Sequence, residues 1–258
     1  MSCDTILYSV ENFVARVSIN QPDKMNRLST TVLRDLVQAV GKADQDDAVK
    51  VVIVSSAGEK AFCAGADLSS IAHESAYASK EQLNLYSEMC LAFHRLKKPS
   101  IARIQGLAVA GGCGLAILPT FSIASASARF GLPEINVGMW PMMVMATLFR
   151  TVGKKKAMEL ICTGDLIDAY EAERIGMITK VVEDHDLDNT VDSLAEKLKS
   201  KSSSIFRLGF EAYQTAMDME YGKAMAYLRD AAAILTNSPD SIEGTKAFVE
   251  KRKPKWTT

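Results

Sequence analysis

Features that mark several classes of protein are absent from this sequence. No run of about 18 apolar residues occurs, which is the length that a membrane-spanning helix needs, so we expect no membrane partner. The first residues, "MSCDTILYSVEN", have neither the basic region nor the apolar core of a secretory signal. The five cysteines are odd in number and form no CxxC pair, which indicates reduced thiols. We therefore expect a cytoplasmic protein.

The charges and the ligand motifs exclude further classes. The 30 basic and 31 acidic residues leave a net charge of −1, which argues against a dedicated nucleic-acid-binding protein. The lysine-rich stretches at 154–156 and 251–255 are more typical of solvated faces than of ligand sites. Neither a metal-ligand cluster nor a phosphate-binding loop is visible, so we expect no metal and no cofactor.

Strand-like and helix-like segments alternate through most of the chain. "TILYSVENFVARVSIN" alternates and breaks at Glu11 and Asn12, which predicts a β-hairpin. Ser29 or Thr30 can cap a helix that runs to about Ala43. "KVVIVSSAG" is typical of a strand buried on both faces. Single strands are also predicted at "SIARIQGLA", "FSIASASARFG" and "ITKVVE".

Helices dominate the end of the chain. "SKEQLNLYSEMCLAFHRLKKP" predicts a helix that stops before Pro99, and residues 146–169 are mostly helical with breaks at Gly153 and Gly164. From Leu187 onward almost every segment is helical. The pattern predicts an α/β fold with a core at residues 1–185 and a helical region at residues 186–258.

One apolar segment contains four glycines. In "GLAVAGGCGLAIL" they are Gly106, Gly111, Gly112 and Gly114. Glycine within a helix costs about 0.5–1 kcal/mol relative to alanine, so the cluster requires another reason. Either something approaches the bare backbone here, or the glycines only permit a helix and a strand to pack closely.

Six segments taken in order resemble the crotonase, or enoyl-CoA hydratase/isomerase, superfamily. They cover essentially the whole chain: "NRL" at 26–28, "AFCAGADL" at 61–68, "KKPSIARIQGLAVAGGCGLAI" at 97–117, "FGLPEINVG" at 130–138, "GKKKAMELICTGDLIDAYEAERIGMITKVV" at 153–182 and "GTKAFVEKRKPKW" at 244–256. The resemblance implies a ββα-spiral core and a helical C-terminal trimerisation region, with trimers often paired into hexamers. It also implies an acyl-CoA thioester as substrate, of which CoA is a part.

The resemblance further implies that two backbone N–H groups stabilise a thioester enolate. It places one donor at Ala64 and the other at Gly111, where a strand ends and a helix dipole favours an anion. Loss of one comparable donor typically costs ~2.7–4 kcal/mol. Gly112 would let the thioester lie against the chain.

The acid–base groups depart from the hydratase pattern. Hydratases of this family carry two glutamates, but the first position here is Gly114 and only the second, Glu134, is retained. A single proton carrier suits the migration of a double bond, in which Glu134 serves as base and then as acid, with its pKa raised by apolar surroundings. The alternative for Glu134 itself is a surface or capping residue.

A second departure follows Trp140. Many hydratases have a glycine-rich run there, but this chain has Met142, Met143, Val144 and Met145. We expect Trp140 and Met142 to contact the substrate. These apolar side chains would exclude water and accept an unusual acyl group, or the methionines only fill the core.

The remaining candidate residues contact the substrate by resemblance. Met25, Arg27 and Leu28 would line the acyl-CoA entry. Phe62 and Ala66 would supply main-chain contacts to adenine and pantetheine. Phe248 and Lys251, on the last helix, would reach the CoA of a neighbouring subunit. Asp67, His73 and Glu74 follow the first oxyanion loop and could line the pocket.

We therefore predict an acyl-CoA enzyme, most simply a double-bond isomerase that uses Glu134. The alternatives are an enoyl-CoA hydratase with a relocated second acid, an acyl-CoA hydrolase or decarboxylase, and, from another class, a non-catalytic acyl-CoA binder.

Overall fold

The computed structural model describes residues 5–66 and 76–257. Within them, one sheet has six strands in the order β1-β2-β3-β5-β7-β10, and a second has four in the order β4-β6-β8-β9. The strands are β1 (Ile6–Glu11), β2 (Val14–Ile19), β3 (Val51–Ser56), β4 (Ala61–Cys63), β5 (Ser100–Ile104), β6 (Leu107–Val109), β7 (Phe121–Ser125), β8 (Arg129–Gly131), β9 (Leu166–Asp168) and β10 (Lys180–Val182).

Helices cover both sheets and continue to the end of the chain. They are α1 (Thr30–Gln45), α2 (Ala76–Arg95), α3 (Gly111–Ile117), α4 (Met142–Thr151), α5 (Lys154–Thr163), α6 (Ala169–Arg174), α7 (Leu187–Lys199), α8 (Ser203–Ala216), α9 (Tyr221–Thr236) and α10 (Pro239–Val249). No helix in this part of the chain combines the length and apolar character needed to cross a membrane.

The first predicted elements are confirmed. β1 and β2 form the antiparallel hairpin, and the two turn residues, Asn12 and Phe13, have φ of 49° and 66°. Two positive φ values are typical of the tight turn that matches the twist of a hairpin. The Ser29 side chain accepts a hydrogen bond from Val32 N–H and caps α1, which extends two residues beyond the predicted end at Ala43.

β3 is buried on both faces, as its unbroken apolar run predicts. Val52 and Val54 pack in the main core together with α1. Val51 and Ile53 pack on the other face, in a smaller cluster that includes Val191 of α7. Because residues of a strand alternate between faces, such a run needs apolar neighbours on both sides.

Two segments that we predicted as single strands each divide between the sheets. In "SIARIQGLA" the chain leaves β5 of the first sheet, turns at Gly106, and enters β6 of the second. Gly106 has φ of 63°, and a Cβ on it would lie 2.4 Å from the Lys60 carbonyl oxygen. "FSIASASARFG" divides in the same way into β7 and β8. The apolar pattern does not change at either turn, so it does not reveal the division.

The end of the chain is helical, as predicted, from α7 to α10. However, α7 packs on the six-stranded sheet and shares an apolar cluster with Ile101 and Ile123. The boundary between residues 185 and 186 therefore stays a prediction, and residues on its two sides share packing. The later helices expose many apolar side chains, namely Tyr213, Met217, Tyr221, Met225, Ile234, Ile242, Phe248 and Val249.

Candidate active site

Three adjacent parallel strands of the second sheet bring the candidate residues together. β6 pairs in parallel with β4 on one side and with β8 on the other. The carboxyl ends of parallel neighbours meet at one edge of a sheet, where ligands commonly bind. The loop after β4 carries residues 64–66, β6 leads into α3, and β8 leads into the short 3₁₀ helix Pro133–Val137 that contains Glu134.

The loop after β4 corrects one predicted donor. Ala64 N–H donates to the Met25 carbonyl at 3.0 Å, so it is already used within the fold. The Gly65 backbone N–H lowers the pKa of the Cys63 thiol in part. Ala66 N–H finds no acceptor among residues 5–66 and 76–257. The prediction for Ala64 is therefore wrong, and Ala66 carries an amide of this loop that bonds to no acceptor in the described ranges.

The second predicted donor, Gly111, lies close to this loop. A Cβ on Gly65 would lie 3.1 Å from Gly111 N and 2.8 Å from the Ala110 Cβ. Gly111 N–H is at the first position of α3 and, like that of Ala66, has no acceptor in the described ranges. Since α3 has only seven residues, the site depends on the N–H groups themselves more than on a helix dipole. Two unpaired amides thus lie on adjoining turns.

Ala110 holds the turn that presents the Gly111 amide. It has φ of 52° and ψ of −129°, a conformation that side-chain-bearing residues rarely adopt. Its own N–H donates to the Gly131 carbonyl at 3.0 Å, which ties the end of β6 to the end of β8. Strained backbone of this kind costs about 1–3 kcal/mol and persists where the surroundings enforce it.

The strain gives a first testable prediction. We expect Ala110→Gly to raise the free energy of unfolding by about 1 kcal/mol, because glycine relieves the strain at a smaller cost in backbone entropy. Ala116→Gly, at a buried helical position of α3, is the matched control and should lower it by about 1 kcal/mol. Urea unfolding measures both, and destabilisation by Ala110→Gly would contradict the strain.

The other glycines of the segment have packing reasons. A Cβ on Gly112 would lie 2.1 Å from the Cys63 carbonyl oxygen, so α3 can contact β4 only with bare backbone there. A Cβ on Gly114 would lie 2.2 Å from the Tyr86 hydroxyl oxygen. For Gly112 and Gly114, the glycine therefore permits close packing of α3 against its neighbours. Gly111 instead exposes its backbone N–H where a ligand could approach.

Glu134 is half-buried, and one of its oxygens is hidden completely. Oε2 is buried and has no hydrogen-bond partner in the described part of the chain. Burial raises the pKa of this carboxyl above its ordinary value, and a hydrogen bond from its own backbone N–H lowers it in part. An unpaired buried carboxyl oxygen is costly, which indicates a role beyond folding. The Glu134 carboxyl is not a solvated surface group.

Thiols lie beside these groups. Burial raises the pKa of Cys63 to about 12, against the opposing hydrogen bond from Gly65 N–H. Burial and then the charge of Glu134 raise the pKa of Cys113 to about 12. Both therefore stay protonated at neutral pH. Cys162, on α5, is exposed.

The remaining predicted residues divide into buried and exposed positions. Leu28 is fully buried and its N–H donates to the Gly65 carbonyl at 2.8 Å, so it supports the loop from behind. Phe62 is also fully buried, whereas Met25 and Arg27 are half-buried beside the loop. Asp67, His73 and Glu74 lie outside the described residues.

The apolar run at 142–145 is only partly buried. Met142 is 64% exposed, and its contact with the substrate stays a prediction. Met143, Met145 and Trp140 pack in part against the main core. Val144, which is 4% exposed, instead lies at Gly114, with its Cγ2 3.0 Å from the place of a Cβ there. Because side chains around a helix point in different directions, consecutive apolar residues of α4 lie partly toward the core and partly toward solvent.

The last candidates belong to the C-terminal surface. Phe248 is 85% exposed at the end of α10. Lys251 is also exposed but lies two residues after that helix, with φ of 54°, and not on it as predicted. Contact of either with a neighbouring subunit's CoA stays a prediction.

A cavity of about 860 Å³ lies elsewhere, between α2, α4 and α8. Phe93, Ile117 and Phe206 contribute to its apolar wall, and Lys98 and Arg150 to its polar part. None of the unpaired amides or the Glu134 carboxyl lines it. We do not assign the reaction to this cavity, because the Ala66 and Gly111 amides and the Glu134 carboxyl lie at the strand ends and not in its wall.

Comparison with known proteins agrees with this architecture. The enoyl-CoA hydratase/isomerase family model matches residues 9–258. The chain is 35% identical to crotonyl-CoA hydratase of Syntrophomonas wolfei, over 98% of each chain. It is 34% identical to short-chain-enoyl-CoA hydratase of Clostridium acetobutylicum, over 98% of this chain and 97% of that one. The crystal structure of an enoyl-CoA hydratase from Mycobacterium smegmatis has a TM-score of 0.94 at 30% identity, over 98% and 99% of the chains.

The chain therefore belongs to the enoyl-CoA hydratase/isomerase family. The predicted crotonase-like fold is confirmed by its structural neighbours.

Sequence reasoning missed Tyr86. Together with Met89 and Phe93 it forms a helical stripe of α2 that is typical of core residues, and all three are buried. Nothing in that stripe distinguishes the tyrosine whose hydroxyl reaches α3.

Proposed function

We propose that the protein adds water to the double bond of a short 2-enoyl-CoA thioester, and catalyses the reverse dehydration. The observation that carries the proposal is the buried Oε2 of Glu134, which has no partner among the described residues, at a strand edge that also presents two amides without an acceptor there. The names of the relatives support hydration over the isomerisation that a single glutamate first suggested. Short acyl groups are the substrates that those two names state.

The amides of Ala66 and Gly111 would hold the thioester oxygen. As water adds to C3, negative charge moves through C2 to that oxygen and forms an enolate. Preorganised donors stabilise this charge more than the neutral ground state, and each is typically worth ~2.7–4 kcal/mol. The Ala66 amide replaces that of Ala64, which the Met25 carbonyl already occupies.

Glu134 would carry the proton. Its carboxylate takes one proton from the water as the water oxygen bonds to C3. The resulting carboxylic acid then gives the same proton to C2, which restores the carboxylate. The raised pKa of Glu134 suits both proton transfers, from water and to C2, because an acid–base group works best when its pKa lies near the working pH.

Isomerisation remains the second candidate, and Gly114 favours it. Position 114 has no carboxyl, and a group that moves one proton between two carbons needs no water. The same amides and Glu134 would serve this reaction.

The two candidates are separated by their substrates. Purified protein with crotonyl-CoA should show loss of the enoyl absorbance and formation of 3-hydroxybutyryl-CoA, identified by mass spectrometry. A 3-enoyl-CoA should be converted much more slowly to the 2-enoyl isomer. Rapid isomerisation without hydration would refute the proposal in favour of the isomerase. Tight binding of both esters without turnover would favour a non-catalytic binder.

We also propose that the C-terminal helices assemble the protein into trimers or pairs of trimers. Exposed apolar side chains on α8, α9 and α10, among them Tyr221, Ile234 and Phe248, support this, since monomers rarely expose so many large apolar groups together. The location of the protein in the cytoplasm stays a prediction.

A further inference from the structure

Tyr86 occupies the space in which a side chain at position 114 would begin. Its hydroxyl oxygen lies 2.2 Å from the place of a Cβ on Gly114, which is shorter than any real contact. The residue comes from α2 and is 8% exposed. A phenol from one helix thus stands where a carboxyl on another would begin.

The hydrogen bonds of Tyr86 leave its oxygen as an acceptor. The hydroxyl donates its proton to the Gly111 carbonyl at 3.0 Å. A tyrosine hydroxyl has one proton and two lone pairs, so toward any further partner it can only accept.

Burial also keeps the phenol neutral. It raises the pKa of Tyr86 well above its ordinary value, and nearby thiols and Glu134 raise it further. Gly111, whose carbonyl accepts the hydrogen bond from the Tyr86 hydroxyl, follows β6, and Glu134 follows the adjacent parallel strand β8, so the two side chains approach the same edge of the sheet. Tyr86 therefore stays protonated at neutral pH.

We propose that the Tyr86 hydroxyl is the second group that holds the attacking water, in place of a carboxyl at position 114. The proposal rests on the hydration proposed above. A water that attacks C3 has two protons to place. The Glu134 carboxylate receives one, and the other remains on the oxygen and needs an acceptor, which the free lone pairs of Tyr86 supply.

Addition of water needs only one group that carries a proton, which is Glu134. The water oxygen forms a bond to C3 while its first O–H bond breaks toward Glu134, and the C2–C3 π electrons move to the thioester oxygen. The proton on Glu134 then passes to C2, and the electrons return from the oxygen. The second O–H bond stays intact in the 3-hydroxyl product, donating to Tyr86 throughout.

The test compares hydration with a reaction that needs Glu134 and the amides but no added water. In deuterium oxide, exchange of the C2 hydrogens of butyryl-CoA proceeds through the same enolate and is measured by mass spectrometry. We expect Tyr86→Phe to lower kcat for crotonyl-CoA hydration by about ten- to a hundredfold, the effect of one lost hydrogen bond in a dry site. The KM and the exchange rate should change less than threefold.

The lost hydrogen bond to Gly111 is the structural alternative. If Tyr86 only positions α3, hydration and exchange fall by the same factor, since both use the Gly111 amide, and the proposal is wrong. Hydration at the wild-type rate also overturns it. If the wild-type protein does not hydrate crotonyl-CoA at all, the proposed function fails first, which distinguishes the two failures.

A second variant tests the replacement directly. Tyr86→Phe removes the atom nearest to position 114 and leaves Val144 Cγ2, at 3.0 Å, as the next. In Tyr86→Phe with Gly114→Glu, the new carboxyl can accept from the water, so hydration should recover at least fivefold over Tyr86→Phe alone. A folded double variant that hydrates no faster would count against the role of Tyr86.

Discussion

Glu134→Gln is expected to lower the rate of hydration by at least about a hundredfold. General acid–base groups typically contribute about 10²–10⁴ in rate, and this carboxyl is the only proton carrier that the mechanism uses. Steady-state kinetics with crotonyl-CoA measure the loss. Glu88→Gln, which changes an exposed glutamate of α2, is the control and should keep wild-type activity.

The same substitution should make the fold more stable at neutral pH. The pKa of Glu134 is raised in the folded protein, so the folded state holds this proton more tightly than the unfolded state does. The stability that this contributes is present below the ordinary carboxyl pKa and is lost as pH rises through the raised value. Glutamine removes this pH-dependent loss, so the Tm of Glu134→Gln should exceed that of wild type at pH 7 and approach it in acid.

The hydration rate of the wild type should follow the same carboxyl. Protonation of Glu134 removes the base, so kcat/KM should decline on the acid side at a pH above the range of an ordinary glutamate. An active Glu134→Gln variant, or a lower Tm at pH 7, would contradict the assignment.

Replacing the Ala66 amide by an ester is expected to reduce kcat by about 10²–10³. Lactic acid at position 66 keeps the methyl side chain and removes the N–H, and one oxyanion donor is typically worth that factor. The ester also weakens the Gly65 carbonyl as the acceptor for Leu28 N–H. The free energy of unfolding should fall by less than about 1 kcal/mol, because the Ala66 N–H bonds to no acceptor within the described ranges and the Leu28–Gly65 bond is weakened but not lost.

Position 64 provides the matched control. The same ester there removes the bond from Ala64 N–H to the Met25 carbonyl, so unfolding should become easier by about 1 kcal/mol. Its kcat should remain within a few-fold of wild type. If the ester at 64 abolished turnover and that at 66 did not, the original placement of the donor would be right and the correction wrong.

Sequence reasoning found the parts of the site that depend on periodicity and on shared motifs. The hairpin, the doubly buried strand β3 and the approach of residues 64–66 to Gly111 follow from alternation, apolar runs and the resemblance. It did not distinguish Ala64 from Ala66, because the Ala64 amide bonds to the Met25 carbonyl, 39 residues away in the chain. It did not find Tyr86, whose neighbours on α2 are ordinary core residues.

The divided strands show the same limit. Gly106 separates β5 from β6, and the adjacent pattern is equally apolar on both sides of it. Only the close approach of the Lys60 carbonyl, which has no signature in the sequence, shows why the chain must turn there. Similarly, Met142 and Val144 are both apolar neighbours on α4, and their different exposure is decided by packing.

The protonated thiols beside the site have a practical consequence for chemical labelling. Alkylating reagents attack thiolates, and Cys63 and Cys113 are both buried and almost entirely neutral at pH 8. Cys162, exposed on α5, is open to such reagents. A fluorophore or spin label carried by maleimide can thus be attached to the natural sequence at residue 162 while Cys63 and Cys113 stay unmodified.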